Sequence, residues 1–273
     1  MISWLWKTFH TVRFLRPIQI YSRIKLKFYL PSVDTRNLPN IRKINNHWKS
    51  KKQKKTILLS RWKFRFLNEE HSIKKAYDWD NPSLSKLWRY NLHYFDCLND
   101  LFTKSRIDLH KELIAKWVKD NPPFLGTGWE PYPSSLRIIN WIKWALSGNE
   151  LPKKSISSLT IQTRWLFKHL EFHILGNHLI ANAKALVFSG LFFEGKEADK
   201  WFNKGIEILE NELPEQVLND GGHFELSTMY HAVVLEDLLD LINVINLFKI
   251  EIREGLLINW KNKVSKMIFW LQN

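Results

Sequence analysis

Residues 235–245 read LEDLLDLINVI, and this stretch decides the fold class. Its apolar side chains recur at intervals of three and four residues, at Leu235, Leu238, Leu239, Leu241, Ile242 and Ile245. Side chains with this spacing share one face of an α-helix, whereas a half-buried β-strand would alternate at every second residue. The stretch therefore predicts a helix that buries one wide apolar face.

The same spacing continues through the chain from about residue 82 to residue 273. It predicts eight helices, at residues 84–101, 108–119, 134–146, 155–170, 178–193, 198–212, 226–248 and 251–271. The second of these stops where Asn121 precedes two prolines, which cannot continue a helix. No period-two alternation is sustained, so no sheet is predicted. Repeated helix hairpins without a heptad seam indicate an all-α fold wound around a common axis.

The net charge of +14 is concentrated in the first quarter of the chain. Residues 1–75 hold 19 Lys and Arg against 3 Asp and Glu, whereas residues 76–273 hold 22 against 24. We therefore expect two regions: a basic N-terminal segment, 1–75, partly extended or disordered, and a helical catalytic-type domain, 76–273. Such a surplus favours an acidic polymer, nucleic acid or an anionic membrane surface as partner. The run from Lys49 to Lys55 is more typical of a solvated leader.

The composition also disfavours several classes of protein. Cys97 is the single cysteine, which excludes an intramolecular disulfide and a multi-cysteine zinc site. No uninterrupted apolar run is long enough to predict a transmembrane helix, and cations interrupt residues 1–30, so no secretory signal is visible. No localisation follows beyond the cytoplasm as a default. Residues 1–28 mix aromatic side chains with cations, which permits peripheral contact with a membrane surface.

Four clusters place aromatic, amide, imidazole and cationic groups around predicted helix starts. They are WRYNLHY at residues 88–94, GWEPYPSSLR at 128–137, HLEFHILGNH at 169–178 and DGGHFELSTMYH at 220–231. This inventory suits a site for a polar, anionic ligand, but it does not name a reaction. His169 and His173 have metal-ligand spacing, yet Glu171 stands in the wrong place for the zinc-protease motif. No metal and no other cofactor is therefore expected.

These clusters resemble the heparinase II/III family, in which stretches very like GWEPYPSSLRIINWIKW (128–144), EFHILGNHLIANAKAL (171–186) and GGHFELSTMYH (221–231) follow one another in this order. The resemblance covers residues 62–273. It implies an incomplete (α/α) toroid, followed in the family by a β-sandwich domain. It also implies a polysaccharide lyase that cleaves uronic-acid-containing polysaccharides, such as heparan sulfate or alginate, by β-elimination. Because the chain ends about where the linker to the sandwich would begin, a truncated form with weak or no activity is expected.

Position by position, the resemblance implies a catalytic set and a substrate-binding set. Asn177, with His178 beside it, matches the catalytic asparagine of the family, and Tyr230 matches its catalytic tyrosine. The amide and the imidazole would hydrogen-bond the uronate carboxylate, and the tyrosine would transfer a proton. The residues expected to bind substrate are Arg137, Trp129, Glu130, Tyr132, Tyr90, Asn91, His93, Glu225 and His231.

The expected site carries two further conditions. If Tyr230 acts as a base, it needs nearby cations, for which Arg137 and His231 are the candidates. Relatives often carry Glu-Arg-Ser-Pro where residues 225–228 of this chain read Glu-Leu-Ser-Thr, so an arginine that would bind an anion there is replaced by leucine.

Two other functions stay open at this point. The helical domain could bind an acidic glycan without cleaving it, which the expected lack of a sandwich domain favours. A nucleic-acid-associated protein is the weaker alternative, because the basic surplus lies outside the four clusters and no nucleic-acid fold signature is present. An acidic polysaccharide is therefore the expected partner, and no specific nucleic acid is expected.

Overall fold

The computed structural model describes residues 6, 9–10, 12–28, 32–43, 46–49, 56–100, 102–253 and 255–273. Most of the expected solvated leader, from Lys49 to Lys55, lies outside the described residues, as do residues 1–5, 7, 8 and 11 of the expected membrane-surface segment. Among the described helices, none combines the length and the hydropathy that a membrane crossing requires.

Nine α-helices are found in the described ranges. They are α1 (Pro17–Phe28), α2 (Lys86–Tyr94), α3 (Ile107–Asp120), α4 (Pro131–Leu146), α5 (Lys153–Lys168), α6 (Gly176–Phe192), α7 (Lys196–Gln216), α8 (Thr228–Phe248) and α9 (Leu256–Gln272). Helices α2 to α9 correspond to the eight predicted helices, which confirms a predominantly helical fold. The largest difference is in the first, which was predicted to reach residue 101. It ends at Tyr94 because Phe95 takes a left-handed backbone conformation, with φ 62°.

The helices alternate between a buried row and a more exposed row. Helices α2, α4, α6 and α8 pack side by side in that order, and every residue from 179 to 192 in α6 is buried. Helices α3, α5, α7 and α9 alternate with them in sequence, and each buries only part of its surface. The contacts describe a row of helix hairpins of the kind a toroid is built from. Closure of that row into an incomplete ring stays a prediction.

Helices α6 and α7 pack closely because a glycine on each helix leaves no side chain between their backbones. A Cβ atom at Gly205 would lie 2.7 Å from the carbonyl oxygen of Ala183, and one at Gly190 would lie 2.6 Å from the backbone nitrogen of Phe202. Real Cβ atoms essentially never come that close to backbone atoms. Glycine at both positions thus allows the antiparallel pair to form, and this pair fixes the position of α6 in the core.

The prediction that the chain contains no sheet is wrong. The strands β2 (Leu58–Ser60), β3 (Lys63–Phe66) and β4 (Glu69–Ser72) form an antiparallel sheet, and β1 (Asn40–Ile41) pairs with β5 (Phe193–Glu194). Leu67 and Asn68 connect β3 to β4, and both have the positive φ that a tight two-residue hairpin needs. The strands are too short for a sustained alternation, and their turn lacks the glycine that usually marks such hairpins.

The three-stranded sheet joins the basic segment to the helices. Leu58, Phe64 and Phe66 are buried in the same core as the apolar side chains of the helices. The ring of Phe66 contacts that of Trp88 in α2, with 5.2 Å between their centroids. The hydrophobic core therefore extends across the expected boundary at residue 75.

Candidate functional site

The loop before α6 is held by a side chain of α6 itself. Asn182 accepts a hydrogen bond from the backbone N–H of Glu171 (2.8 Å) and donates one to the carboxylate of the same residue (2.9 Å). Between them, Leu175 has φ 67° and ψ −154°, a conformation that costs residues other than glycine on the order of 1–3 kcal/mol. Such strain persists only where surrounding contacts maintain it. The loop thereby sets Asn177 and His178 in the first turn of α6, where both are half-buried.

His178 is oriented by two neighbours. Its Nδ1 lies 3.0 Å from Oε1 of Glu171, and its ring stacks on Tyr132 with 4.2 Å between centroids. A carboxylate at Nδ1 holds a proton on that nitrogen and leaves Nε2 to act on a ligand. The side chain of His178 is 29% exposed, and no described residue hydrogen-bonds its Nε2. His178 therefore presents one ring nitrogen that is available to a ligand.

The loop before α8 brings a tyrosine to the same region. Ser227 caps α8 by accepting a hydrogen bond from the backbone N–H of Tyr230, so Tyr230 lies in the first turn of that helix. Glu225, in the same loop, reaches the start of α6: its Oε1 lies 3.5 Å from the place of a Cβ atom at Gly176. The loops that begin α6 and α8 are therefore neighbours.

Tyr132, at the start of α4, connects the two helix starts. Burial raises the pKa of its phenol, and negative charge on Asp237 and Glu171 raises it further. Its ring stacks on that of His178 at the start of α6, and the ring of Tyr230 lies 6.4 Å from that of His223 in the loop before α8. The starts of α4, α6 and α8 together form one candidate site.

A row of tyrosines leads away from this site. Tyr132 meets Tyr94 edge to face at 5.9 Å between centroids, and Tyr94 meets Tyr90 at 6.5 Å. The hydroxyl of Tyr90 donates to the carboxylate of Glu130, which also lies 2.9 Å from Nζ of Lys86. Burial and the Glu130 charge both raise the pKa of Tyr90. Tyr94 and Lys86 were not expected in the site. Tyr94 stands in the WRYNLHY cluster, whereas nothing in the sequence singled out Lys86.

Arg137 does not face the site, contrary to expectation. Its side chain is fully buried, donates to Oε1 of Gln162 (2.9 Å) and to the carbonyl oxygen of Gly128 (2.7 Å), and lies over the ring of Trp117 at 3.8 Å. Burial lowers the pKa of Arg137. This arginine ties α4 to α5 and to the preceding loop. Asn91 also uses its amide internally, donating to a carbonyl oxygen of its own helix α2 (2.8 Å).

His93 and Trp129 are buried scaffold residues and not site residues. His93 makes hydrogen bonds with the carbonyl oxygen of Trp79 (3.1 Å) and the indole N–H of Trp117 (3.0 Å), so both of its ring nitrogens are occupied. Burial lowers the pKa of His93 to about 3, which keeps it neutral. The indole N–H of Trp129 donates to the carbonyl oxygen of Asn121 (3.3 Å). Both side chains assist packing around α2 and cannot reach a ligand.

His231 follows Tyr230 in sequence but points away from it into the protein. Its Nε2 lies 3.0 Å from the carbonyl oxygen of Met267, and its ring stacks on Trp270 at 4.7 Å. His231 thus joins α8 to α9 and is fully buried. Neither His231 nor Arg137 supplies the cation that was expected beside Tyr230.

Four buried charges connect α4, α6 and α8 below the site. Nζ of Lys184 lies 2.8 Å from Asp237 and 2.5 Å from Asp240, and Lys143 binds Asp240 as well. Burial opposes ionisation of Asp240, but Lys184 and Lys143 lower its pKa to about 2. Burial, with repulsion from Lys184, lowers the pKa of Lys143 to about 8. This network was not expected from the sequence. Its only sequence signal is the pair of aspartates among the leucines of residues 235–245.

The zinc-like spacing of His169 and His173 does not produce a shared site. Nδ1 of His169 lies 2.7 Å from the carbonyl oxygen of Trp165, whereas Nδ1 of His173 is buried and has no hydrogen-bond partner among the described residues. Within the described ranges, no group of three or more His, Cys, Asp and Glu side chains is placed to hold a metal ion.

Two curated heparin-sulfate lyases align with parts of this chain. That of Bacteroides stercoris is 35% identical over 113 residues, which cover 39% of this chain and 16% of that protein. That of Bacteroides thetaiotaomicron is 30% identical over 138 residues, which cover 46% of this chain and 20% of that protein. The chain therefore matches no more than about one fifth of the length of these relatives.

Solved structures extend the likeness over most of the chain. A crystal structure of heparinase III matches with a TM-score of 0.62 and 20% identity, and covers 93% of this chain and 42% of that one. Heparan sulfate lyase HepC from Pedobacter heparinus matches with a TM-score of 0.56 and 21% identity, over the same shares of the two chains. At these identities the likeness shows the fold alone. The family model described as the heparinase II/III N-terminus matches residues 21–273, and the chain therefore belongs to the heparinase II/III family.

Proposed function

We propose that this chain provides the helical side of a lyase site that cleaves an acidic, uronate-containing polysaccharide by β-elimination. The observation that supports it is that the loop before α6, which positions Asn177 and His178, neighbours the loop before α8, which positions Tyr230. The related heparin-sulfate lyases favour an acidic polysaccharide as substrate.

The chemistry requires stabilisation of a carboxylate. In β-elimination the C5–H bond of the uronate breaks, its electron pair forms the C4–C5 double bond, and the C4–O bond to the next sugar breaks. Negative charge builds on the neighbouring carboxylate as the proton leaves. Asn177 can donate its amide hydrogens to that carboxylate, and His178 in its charged form can donate Nε2–H while Glu171 holds Nδ1. Both donors begin one helix, so they are held in a fixed relation to each other.

The proton transfer is assigned to Tyr230. The leaving sugar oxygen must receive a proton, and the C5 proton must be removed, and a positioned phenol can serve in either step. The loop that positions Tyr230 lies against the start of α6 through Glu225, so a sugar ring bound at Asn177 and His178 would lie close to the start of α8.

The second candidate function is binding of an acidic glycan without cleavage. The half-buried Tyr132 and Tyr90, joined by the buried Tyr94, favour it, because aromatic faces stack on sugar rings whether or not a bond is broken. Lys86, which lies 5.1 Å from the ring of Tyr90 and pairs with Glu130, would place a lysine and a carboxylate at the far end of the row for hydrogen bonds with a sugar.

One set of measurements separates the two candidates. Product formation is followed by the ultraviolet absorbance of the unsaturated uronate, with heparan sulfate and alginate as substrates, and binding is measured by calorimetry. We expect Tyr230→Phe to lower the rate about 10²–10⁴-fold with little change in affinity. Tyr77→Phe, at an exposed tyrosine outside the site, is the matched control and should leave both unchanged.

The possible results lead to different conclusions. Turnover that survives Tyr230→Phe would remove Tyr230 from the mechanism. Tight binding without product, weakened by Tyr132→Ala, would support the glycan-binding function in place of the lyase. Absence of both binding and product would contradict both candidates.

A further inference from the structure

Helix α1 exposes an apolar face. Ile18, Tyr21, Ile24 and Phe28 follow one another at intervals of three and four residues and therefore share one side of the helix. Tyr21 is 63% exposed and Phe28 77% exposed. Phe14, just before the helix, is 74% exposed. A single exposed apolar side chain is ordinary, but a continuous apolar face on one helix marks a contact surface.

The opposite face of α1 is attached to the helical domain. Ser22 is buried, and the side-chain amide of Gln19 donates to the carbonyl oxygen of His173 (3.4 Å), in the loop before α6. Arg16, which precedes the helix, forms an ion pair with Glu215 near the end of α7. The apolar face is therefore directed outward by contacts on the other side.

The charge around this face has one sign. Residues 1–33 contain six Lys and Arg and no Asp or Glu. Arg13, Arg23, Lys25 and Lys27 form no ion pair with any residue in the described part of the chain, and only Arg16 is neutralised. The outward surface of α1 thus combines aromatic and aliphatic side chains with unpaired cations.

This combination distinguishes among the partners that could cover it. An acidic polysaccharide would satisfy the cations but would leave Ile18, Ile24 and Phe28 in water. A second copy of the chain would cover the apolar side chains but would bring two sets of unpaired cations together. A bilayer with anionic lipids satisfies both, because the apolar side chains enter the headgroup boundary while the cations meet lipid phosphates and carboxylates.

We propose that α1 and the residues just before it bind the surface of membranes that contain anionic lipids. The helix lies in the plane of the bilayer surface, with Ile18, Tyr21, Ile24 and Phe28 toward the acyl chains. The membrane is bound by this surface and is not crossed, and the contact does not depend on the chemistry of the candidate site.

The test uses the full chain and vesicle sedimentation. One set of vesicles is phosphatidylcholine alone, and the other is two parts phosphatidylcholine to one part phosphatidylserine. We expect at least about tenfold tighter binding to the anionic vesicles, with affinity falling as salt is raised. The double variant Ile24→Ser with Phe28→Ser should lose about tenfold or more of that affinity. The control, Leu125→Ser with Ile258→Ser, removes two apolar side chains that are about equally exposed elsewhere and should bind like the parent chain.

Other outcomes would overturn the proposal. One is equal vesicle binding by the two double variants, and another is no preference for anionic vesicles. A third is that the parent chain binds no vesicles but forms a dimer in sedimentation velocity, which Phe28→Ser dissociates. Circular dichroism shows whether the variants remain folded. If Ile24→Ser with Phe28→Ser does not remain folded, the double variant Lys25→Gln with Lys27→Gln is tested in its place. It should weaken binding to the anionic vesicles, and unchanged binding would refute the proposal.

Discussion

Replacing Lys184 by methionine should destabilise the protein strongly. Lys184 is 4% exposed and bridges Asp237 and Asp240 at 2.8 and 2.5 Å. Methionine keeps most of the side-chain volume but leaves two buried carboxylates without their shared cation. Removing one partner of a buried ion pair costs about 3–5 kcal/mol. Because Lys143 still binds Asp240, we expect the lower end of that range, about 3 kcal/mol.

Urea unfolding followed by tryptophan fluorescence measures this loss. The matched control is Lys204→Met, which removes a half-buried lysine paired with the exposed Glu207 at 2.7 Å and should cost no more than about 1 kcal/mol. The double variant Lys184→Met with Asp237→Asn should recover part of the loss, because one of the two orphaned charges is removed. A loss below about 1 kcal/mol for Lys184→Met, or one equal to that of Lys204→Met, would refute the reasoning that these charges depend on one another.

Three further predictions follow from the site and the core. Glu171→Gln should lower turnover about 10–100-fold and change the protonated nitrogen of His178 in nitrogen NMR spectra, whereas an unchanged tautomer would rule out the orienting role. Lys184 and Lys143 hold the pKa of Asp240 near 2, below its ordinary 3.8. Its contribution to the free energy of unfolding, about 2 kcal/mol, should therefore be present above pH 4 and lost as the pH falls toward 2. A loss of stability that is equally steep in Asp240→Asn would contradict this. Gly205→Ala should lower stability by about 1–3 kcal/mol in thermal unfolding, because its Cβ meets the carbonyl oxygen of Ala183, and an unchanged midpoint would show that α6 and α7 can separate.

The helices could be predicted from the sequence because each depends on the spacing of apolar residues that are close together in the chain. Residues 235–245 show this directly, since their leucines fall on one face and most are buried in α8. The end of α2 could not be predicted, because a left-handed phenylalanine such as Phe95 is unusual and tertiary packing maintains it. The hairpin between β3 and β4 was missed for a similar reason, since Leu67 and Asn68 take backbone conformations that usually indicate glycine.

The candidate site was predicted only in part, because the sequence does not show in which direction a polar side chain points. Arg137 and His231 stand in clusters rich in polar groups, yet carbonyl oxygens inside the protein accept their hydrogen bonds. Lys184 and Asp237, 53 residues apart in the chain, could be paired only once α6 and α8 were known to be neighbours. Glu171 was considered only for its place between two histidines, while its role is set by Asn182 and His178.

The hydrogen bonds between Asn182 and Glu171 also determine how the site can open. Because a side chain from the second turn of α6 holds the loop before that helix, the loop and the first turns of α6 cannot fray independently. They form one cooperative unit, and local opening must break both hydrogen bonds together with the contact between Glu171 and His178. In hydrogen exchange, the amides of residues 171–182 should therefore exchange at one common rate, so that Asn177 and His178 are either both in place or both lost.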